Sequence, residues 1–284
     1  MHTIHLKERT ILTHPAYNLG WKLAHVVKGI AKPSILSTYE QERGDIAKKL
    51  IEFDQEFSLK LSGGSDNSIE QTQQAFYDAL PFTSCTSIEY SGNSIVAKEG
   101  SNFASKPELA QGLVVGQRFP SKKVVDQSNG RPLEFQERFP SDGKYRIVVF
   151  AGDISIPEQQ DRLQVFAEKL DTSKLPVQRT VLKFGPNEAT IEVLLLHCAK
   201  RQDVTLEKLP DIFYPMVPPR GKAYDRVYVD ALPYTSQIGK AYEGYGVNKQ
   251  RGCLVTVRPD GHVMHIGELE DVSDLEEIFG EILL

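Results

Sequence analysis

Cysteine and long apolar runs are scarce in this sequence, and their scarcity excludes several classes of protein. The 284 residues include three cysteines, Cys85, Cys198 and Cys253, and no two of them have CxxC spacing. Such a set does not form a disulfide framework and fits a reducing compartment. No apolar run approaches the roughly 20 residues that cross a bilayer, and the N-terminus has no apolar signal segment. We therefore expect a cytoplasmic chain with no membrane partner.

The three cysteines differ in their predicted surroundings. Cys198 lies in the apolar run Ile191–Ala199 and Cys253 begins another apolar strand, so both are predicted to be buried small hydrophobic residues. Cys85 lies in a polar loop and is the one thiol predicted to be exposed. Nothing in the neighbouring sequence would activate this thiol as a nucleophile.

Charge blocks and familiar chemical motifs are also missing. The chain has 33 Lys and Arg against 38 Asp and Glu, a formal net charge of −5, and no basic block. Neither a Gly-x-Gly-x-x-Gly turn nor a Gly-x-Ser-x-Gly motif occurs, so the sequence predicts neither a dinucleotide cradle nor a serine-hydrolase nucleophile. These absences leave no predicted nucleic-acid partner and no predicted catalytic or cofactor-binding residue.

The histidines do not predict a metal site. His262 and His265 lie three apart, so on a strand their side chains would point to opposite faces. No Cys, His or carboxylate with metal-ligand spacing accompanies them, and we interpret both as surface residues of a hairpin. His14 and His25 flank the first predicted helix and are structural or exposed, whereas His197 is predicted to be buried beside its neighbouring cysteine.

The chain begins with two predicted helices joined at a proline. Residues 16–30 carry apolar side chains around much of the helix surface, which predicts a buried helix rather than one with a single apolar face. Trp21 is interpreted as a core residue of this helix rather than part of an aromatic pocket, and Gly29 marks the helix end. The second helix is predicted to start at Ser34 or Ser37 and to end at Leu61, because apolar residues recur at steps of three, four or seven.

Strands and helices alternate from about residue 112 to the end of the sequence. The predicted strands are Lys123–Asp126, Tyr145–Ala151, Ile191–Ala199, Arg226–Val229, Gly252–Arg258 and His262–Ile266, and the predicted helices are Pro157–Leu170, Tyr234–Tyr245 and Asp271–Leu284. A polar segment at Ser101–Gln111 is predicted to link two units, with domains at 1–107 and 108–284 and a boundary near Glu108. We predict an α/β protein in which an N-terminal helical segment precedes a thioredoxin-like α/β domain, because strand, helix, strand, helix, hairpin, helix is the order of that fold.

A thioredoxin-like fold suggests thiol redox chemistry, which needs a thiolate at the N-terminus of the helix after the central strand. That junction is Gly152–Ile156 and contains no cysteine. No proline stands just before Gly252, where redox members of the fold place theirs. The domain therefore lacks CxxC and is not predicted to be redox-active.

Several motifs extend over most of the chain. They are Ala-Tyr-Asn-Leu-Gly-Trp-Lys-Leu-Ala at 16–24, Leu-Ser-Thr-Tyr-Glu-Gln-Glu-Arg at 36–43, Leu-Ile-Glu-Phe-Asp at 50–54, Val-Gly-Gln-Arg-Phe-Pro at 115–120 and the run at 252–279. Together they resemble the flavin-dependent aromatic hydroxylases, in particular the fungal-type phenol 2-monooxygenases and their thioredoxin-like C-terminal domain. The sequence departs from that pattern at Pro15, Gly44 and Cys85, where the family usually has Asp, Pro and Gly.

This resemblance implies an activity for the intact family and the absence of its FAD-binding half from this sequence. The intact family uses NADPH to reduce FAD, and the reduced flavin activates O2 and hydroxylates a phenol next to its hydroxyl group. In the family, the residues before these helices carry most of the FAD contacts and the catalytic pocket. In this sequence, Met1–Thr13 occupy that place. The resemblance implies the C-terminal portion of such an enzyme, dimerising through its thioredoxin-like domain, with no FAD or NADPH bound and no activity in this chain alone.

Two hypotheses from different functional classes remain open. The first is a C-terminal portion of a phenol 2-monooxygenase-like enzyme, inactive without the FAD-binding half. The second is a stand-alone thioredoxin-like module for dimerisation or interaction, without redox activity. Both can hold at once.

Overall fold

The computed structural model describes residues 16–62, 70, 73–74, 77–78, 80, 87–177, 190–217, 221–232 and 239–284. The α-helices in these ranges are α1 (16–27), α2 (Ser37–Ser62), α3 (Pro157–Thr172), α4 (Ala241–Tyr245) and α5 (Val272–Ile282). The strands are β1 (Lys123–Asp126), β2 (Pro132–Glu134), β3 (Tyr145–Gly152), β4 (Ile191–His197), β5 (Met216–Val217), β6 (Gly221–Lys222), β7 (Val227–Val229), β8 (Cys253–Val257) and β9 (Val263–Gly267). In this described part of the chain, no helix combines the length and the apolar character needed to cross a bilayer.

Both predicted N-terminal helices are confirmed. Helix α1 ends where Gly29 adopts a left-handed backbone conformation with φ of 67°, and the Gly29 and Ile30 amides bond back to the last helical turn. A 3-10 turn at Pro33–Leu36 follows and leads directly into α2. Proline suits this first turn because its missing N–H has no intrahelical partner to lose.

The prediction that α1 is buried over most of its surface is wrong. Leu23 and Val27 are 42% and 83% exposed. The buried face instead carries Asn18, Lys22 and His25, beside the predicted core residue Trp21. The number of apolar residues in the helix predicted burial wrongly, because α1 buries polar residues and exposes an apolar strip to solvent.

A seven-stranded mixed sheet forms the body of the chain, in the order β2-β1-β7-β4-β3-β8-β9. Strands β3 and β4 are parallel and are connected through α3, whereas β8 runs antiparallel to both β3 and β9 and is followed, after β9, by α5. This βαβ unit with an adjoining ββα unit confirms the predicted thioredoxin-like α/β domain. Strands β7, β1 and β2 extend the sheet beyond β4.

Strand β3 is central because both of its faces are covered. All eight of its residues are buried, with Ile147 and Val149 in one apolar core and Val148 and Phe150 in the other. Successive strand residues face opposite sides, so a continuous apolar run is what a doubly covered strand requires. The predicted inner face of the last helix is confirmed, and its buried residues are Val272, Leu275, Ile278, Phe279 and Ile282.

Residues 97–116, which include the predicted linker Ser101–Gln111, cover the β9 edge of the sheet. The Ala97 amide donates to Met264 O, and the Lys106 amide donates to Ile266 O, each at 2.8 Å. Gly116 N likewise donates to Val263 O at 2.8 Å. These bonds satisfy an edge strand that would otherwise expose unpaired backbone groups. The domain division at 107/108 stays a prediction.

The remaining predicted elements agree with the structure within about two residues, with one exception. The helix predicted at Tyr234–Tyr245 is observed only as α4, Ala241–Tyr245, and residues 233–238 lie outside the described ranges. Asp230 explains where α4 starts, because its carboxylate accepts the Ala241 and Tyr242 amides at 2.9 and 3.0 Å.

We predict that Gly152→Ala destabilises the chain. Gly152 has φ of 76°, and an added Cβ would lie 2.1 Å from Lys249 O. Left-handed backbone strain and this clash should together lower the free energy of unfolding by about 2 kcal/mol or more, measured by urea denaturation. The matched control is Gly280→Ala in α5, where an added Cβ meets nothing within 4 Å and should be neutral or stabilising. Equal effects of the two substitutions would contradict the close approach.

Candidate functional site

The end of the domain where a thioredoxin-like fold would carry its thiols is closed by packing. Gln159 Nε2 on α3 donates to Gln250 O at 2.6 Å, and Arg162 Nη1 donates to the same oxygen at 2.8 Å. The loop before β8 is thereby held against the β3–α3 junction, and the close approach at Gly152 leaves no room for a side chain there. The junction offers neither a thiol nor a cleft in front of one.

The two cysteines in the described residues are free and buried, as predicted. Cys198 follows β4 and is 8% exposed, and Cys253 opens β8 with no exposed surface. Burial raises the pKa of the Cys198 thiol to about 11 and raises the pKa of Cys253 as well. Because the thiolate is the reactive form, burial of both thiols predicts low reactivity near neutral pH. Cys85 lies outside the described residues.

We predict that Cys198 and Cys253 react slowly with a thiol reagent in the folded chain. A shift of two pKa units lowers the thiolate fraction about 100-fold, and burial slows the reaction further. The measurement is the rate of Ellman's reagent with a Cys85→Ser variant, native and in guanidinium chloride. Equal rates in the two conditions would show that these thiols are accessible.

The predicted surface histidines of the hairpin are not on the surface. His262 and His265 are each 1% exposed. The ring of His262 packs on Tyr90 at a centroid distance of 4.6 Å, and the covered β9 edge encloses His265. The prediction was wrong because no local sequence pattern indicates that residues 88–118 fold over this hairpin. In the described ranges, no group of three or more His, Cys, Asp or Glu side chains is arranged to hold a metal ion.

Two further histidines are buried as neutral side chains. His197 is fully buried, as predicted, and its Nε2 lies 3.3 Å from Gln127 Oε1. His25 is 3% exposed, with its Nε2 2.6 Å from Gly143 O, so that ring nitrogen carries the proton and donates. His14 lies outside the described residues.

We predict a loss of stability on mild acidification. Burial lowers the pKa of His197 to about 3, that of His265 to about 4, and also that of His25. Between pH 6.5 and pH 4 the unfolded chain binds more protons than the folded chain, so the free energy of unfolding falls as pH falls. His197 and His265 should each cost about 2 kcal/mol between pH 7 and pH 5.

Urea denaturation across this pH range measures the effect. His197→Asn removes one titrating group and should reduce the pH-dependent loss by about 2 kcal/mol. A slope unchanged by this substitution would contradict the assignment.

A cluster of buried charges joins the N-terminal helices to the β8–β9 hairpin. We call it the Glu42–Arg258 cluster. Its members are Asn18 and Lys22 on α1, Glu42 on α2, and Arg258 and Asp260 at the turn between β8 and β9. Each is at most 5% exposed. Buried charges are rare without partners, so their hydrogen bonds decide what holds this junction together.

Glu42 is the acceptor at the centre of the cluster. Its Oε2 accepts from Asn18 Nδ2 at 2.7 Å and from Lys22 Nζ at 2.9 Å. Its Oε1 and Oε2 also accept both terminal nitrogens of Arg258, at 2.5 and 3.1 Å. Asn18 and Lys22 lie four residues apart and hence one above the other on α1, and Lys22 Nζ donates to Asn18 Oδ1 at 2.9 Å. One carboxylate thus binds both helices to the hairpin.

Arg258 is held by two aromatic rings as well as by carboxylates. Its Cζ lies 5.6 Å from the Trp21 ring centroid and 5.1 Å from the Tyr90 ring centroid. Its Nε and Nη2 donate to Asp260 at 3.0 and 2.5 Å, and Trp21 Nε1 donates to the same carboxylate at 3.2 Å. A planar guanidinium can stack on rings and bind two carboxylates at once, which an ammonium cannot do.

The cluster is balanced in charge. Lys22 and Arg258 carry two positive charges, and Glu42 and Asp260 carry two negative charges. Burial alone would raise the pKa of both carboxyls, but Arg258 holds the pKa of Glu42 below its usual value and that of Asp260 well below it. Burial and the neighbouring Arg258 lower the pKa of Lys22 to about 8. The directions of these pKa shifts favour the charged forms of both carboxyls, and burial separates all four groups from solvent.

Sequence reasoning did not find this cluster. Lys22 and Glu42 lie within the two predicted helices and Arg258 ends a predicted strand, with no role predicted for any of them. A weak signal was present, because Asn18 and Lys22 share the helix face of Trp21. Their common partner Glu42 pairs in turn with Arg258, 216 residues further along the chain, and no local sequence pattern indicates such a pairing.

The fold and these junctions define a class of protein: a thioredoxin-like domain without the thiol motif, attached through buried charges to a helix pair. Residues 88–284 match the family described as phenol hydroxylase, C-terminal dimerisation domain, and residues 14–54 match the family described as FAD binding domain. The first match covers more than half of the chain. The chain therefore belongs to the phenol hydroxylase C-terminal dimerisation domain family.

Individual relatives agree with this assignment. The chain is 35% identical over 263 residues to a phenol 2-monooxygenase of Aspergillus fumigatus, covering 93% of this chain and 42% of that protein. It is 29% identical over 277 residues to the 3-hydroxybenzoate 4-monooxygenase of Comamonas testosteroni, covering 93% and 42%. The solved structure of the flavin-dependent monooxygenase PieE in complex with FAD and substrate has a TM-score of 0.50 at 16% identity, over 94% of this chain and 43% of that chain, and shows a likeness of fold alone.

The chain spans less than half the length of these relatives. The resemblance to FAD-dependent aromatic monooxygenases of the phenol hydroxylase type, stated from the sequence motifs, is confirmed.

Proposed function

We propose that these residues are the C-terminal, non-catalytic portion of an FAD-dependent hydroxylase of the phenol 2-monooxygenase type. The observation that carries the proposal is the division of the family matches. The dimerisation-domain family covers 88–284, whereas the FAD-binding family covers only 14–54. In the intact enzyme, NADPH would reduce FAD and the flavin would hydroxylate a phenol, and this portion would support that catalysis without performing it.

The residues present do not fit an FAD site. The described residues that fall in the FAD-binding match form two helices, and the polar groups of their buried face, Asn18, Lys22 and Glu42, bind one another and Arg258. The strands of the described ranges all belong to the thioredoxin-like sheet or to the short β5–β6 ladder. A flavin needs a strand and a glycine-rich turn for its pyrophosphate, and the sequence contains no such turn.

The outer face of α1 supports docking of a separate FAD-binding unit. Leu23 and Val27 are exposed there, and Gly20 and Ala24 on the same face are small and exposed. An apolar helix face with small residues lets another element approach closely, and an exposed face of this kind is typical of an interaction site. This face lies within the match to the FAD-binding family.

A second function, a dimerisation module, is favoured by the description of the matched family. The module would join two copies of this chain through the thioredoxin-like domain and would act without redox chemistry. The buried, unactivated thiols are consistent with that function and with a cytoplasmic location. Light scattering at high concentration should then give the mass of a homodimer, and a strict monomer would count against this role.

The decisive prediction concerns flavin. The purified chain, incubated with FAD and re-isolated, should show no flavin absorbance and no NADPH-dependent hydroxylation of phenols. The positive control is the A. fumigatus phenol 2-monooxygenase taken through the same procedure. Stoichiometric FAD retained by this chain would overturn the proposal, because the described helices would then rebuild a site that their geometry does not show.

A further inference from the structure

We propose that Arg258 is a positioning residue that fixes helix α1 in one orientation on the dimerisation domain. The proposal rests on the proposed function for its biological meaning, since α1 is the helix inferred to carry the FAD-binding unit. The Glu42–Arg258 cluster would then set where that unit stands relative to the hairpin of the dimerisation domain. The physical claim concerns only this chain and can be tested without flavin.

Polar contacts attach most of the buried face of α1, and of these the His25–Gly143 hydrogen bond lies outside the cluster. Its apolar contribution to the core is small, because Leu23 and Val27 are exposed and only Trp21 is buried, with Val26 partly buried against the same core. The contacts of Asn18 and Lys22 are hydrogen bonds and ion pairs of the cluster. Apolar contacts tolerate sliding, whereas a forked guanidinium between two carboxylates accepts one geometry. The orientation of α1 therefore depends on Arg258 and its partners.

The connection after α1 is attached to the end of α5, independently of the cluster. Lys32 N donates to Ile282 O at 2.9 Å, and Leu284 N donates to Ile30 O at 3.0 Å. Ala31 and Leu283 form an antiparallel bridge between these bonds. Residues 30–32 are thus anchored to the end of α5 without the cluster. Loss of the cluster should leave this anchor in place and let α1 move about it.

The cluster consists mainly of charged groups although the site is buried. Replacing a buried ion pair by apolar residues is often neutral or stabilising, so stability alone does not require one. Fixing a register is the best-attested use of such groups, because each must find its own partner. Here the groups come from α1, α2 and the β8–β9 turn, which are the elements whose relative orientation is at issue.

The test is amide hydrogen exchange of the full chain carrying Arg258→Met, followed by mass spectrometry of its peptides. Methionine keeps the apolar stem and removes the guanidinium. Amides of α1 should exchange about 10- to 100-fold faster, whereas those of β3 and β4 should keep their protection. Arg258→Lys should behave like Arg258→Met, because an ammonium cannot reproduce the forked, stacked contact. The matched control is Arg251→Met at the other end of β8. Arg251 pairs with Glu268, which lies outside the cluster, so this substitution should leave amide exchange of α1 unchanged.

Two results would overturn the proposal. One is parallel loss of protection in α1 and β3, which would mean that the cluster contributes general stability and no orientation. The other is unchanged α1 exchange, or full recovery with lysine. If Arg258→Met does not fold, Glu42→Gln provides the same comparison with the side-chain shape retained, and α1 must again lose more protection than β3. None of these outcomes depends on FAD binding, so a failure here is distinct from a failure of the proposed function.

Discussion

The structure depends on one constraint: the charge of Arg258 is buried and must be neutralised in place. Asp260 of the same turn and Glu42 of α2 provide the two carboxylates, and the rings of Trp21 and Tyr90 cover the guanidinium. An isolated buried charge is very costly, so a structure that holds this arginine must also hold its partners. The helix pair is attached to the sheet domain as a consequence.

This attachment explains how a chain that matches two families holds together. The sheet domain supplies most of the two cores on either side of β3, to which the N-terminal segment adds Trp21, Ala31, Ile35 and Ile46. In the part of the chain whose side chains the structure describes, the helix pair forms no separate core, and no residue of α2 beyond Ile46 belongs to either core. The helices are therefore ordered by the domain on which they stand. Helix α1 presents an apolar strip outward at Leu23 and Val27.

Most of the fold could be predicted from the sequence, because its determinants are local. The run at Tyr145–Gly152 is apolar throughout since both faces are covered, and the last helix shows its inner face at helical spacing. What could not be predicted was set by distant pairing. His262 and His265 were assigned to the surface because nothing local shows that another segment covers the hairpin. The outward apolar strip of α1 was misread because apolar residues usually mark the buried side, and here Lys22 takes that side to reach Glu42.

The central claim is that Glu42 and Arg258 act as a unit that joins the helices to the domain. The most direct measurement is a double-mutant cycle of Glu42→Gln and Arg258→Met, with the free energy of unfolding measured by urea denaturation. Residues that share a buried network couple strongly, and we expect an interaction energy of about 2–3 kcal/mol. An interaction energy below about 0.5 kcal/mol, the value typical of independent sites, would contradict the account.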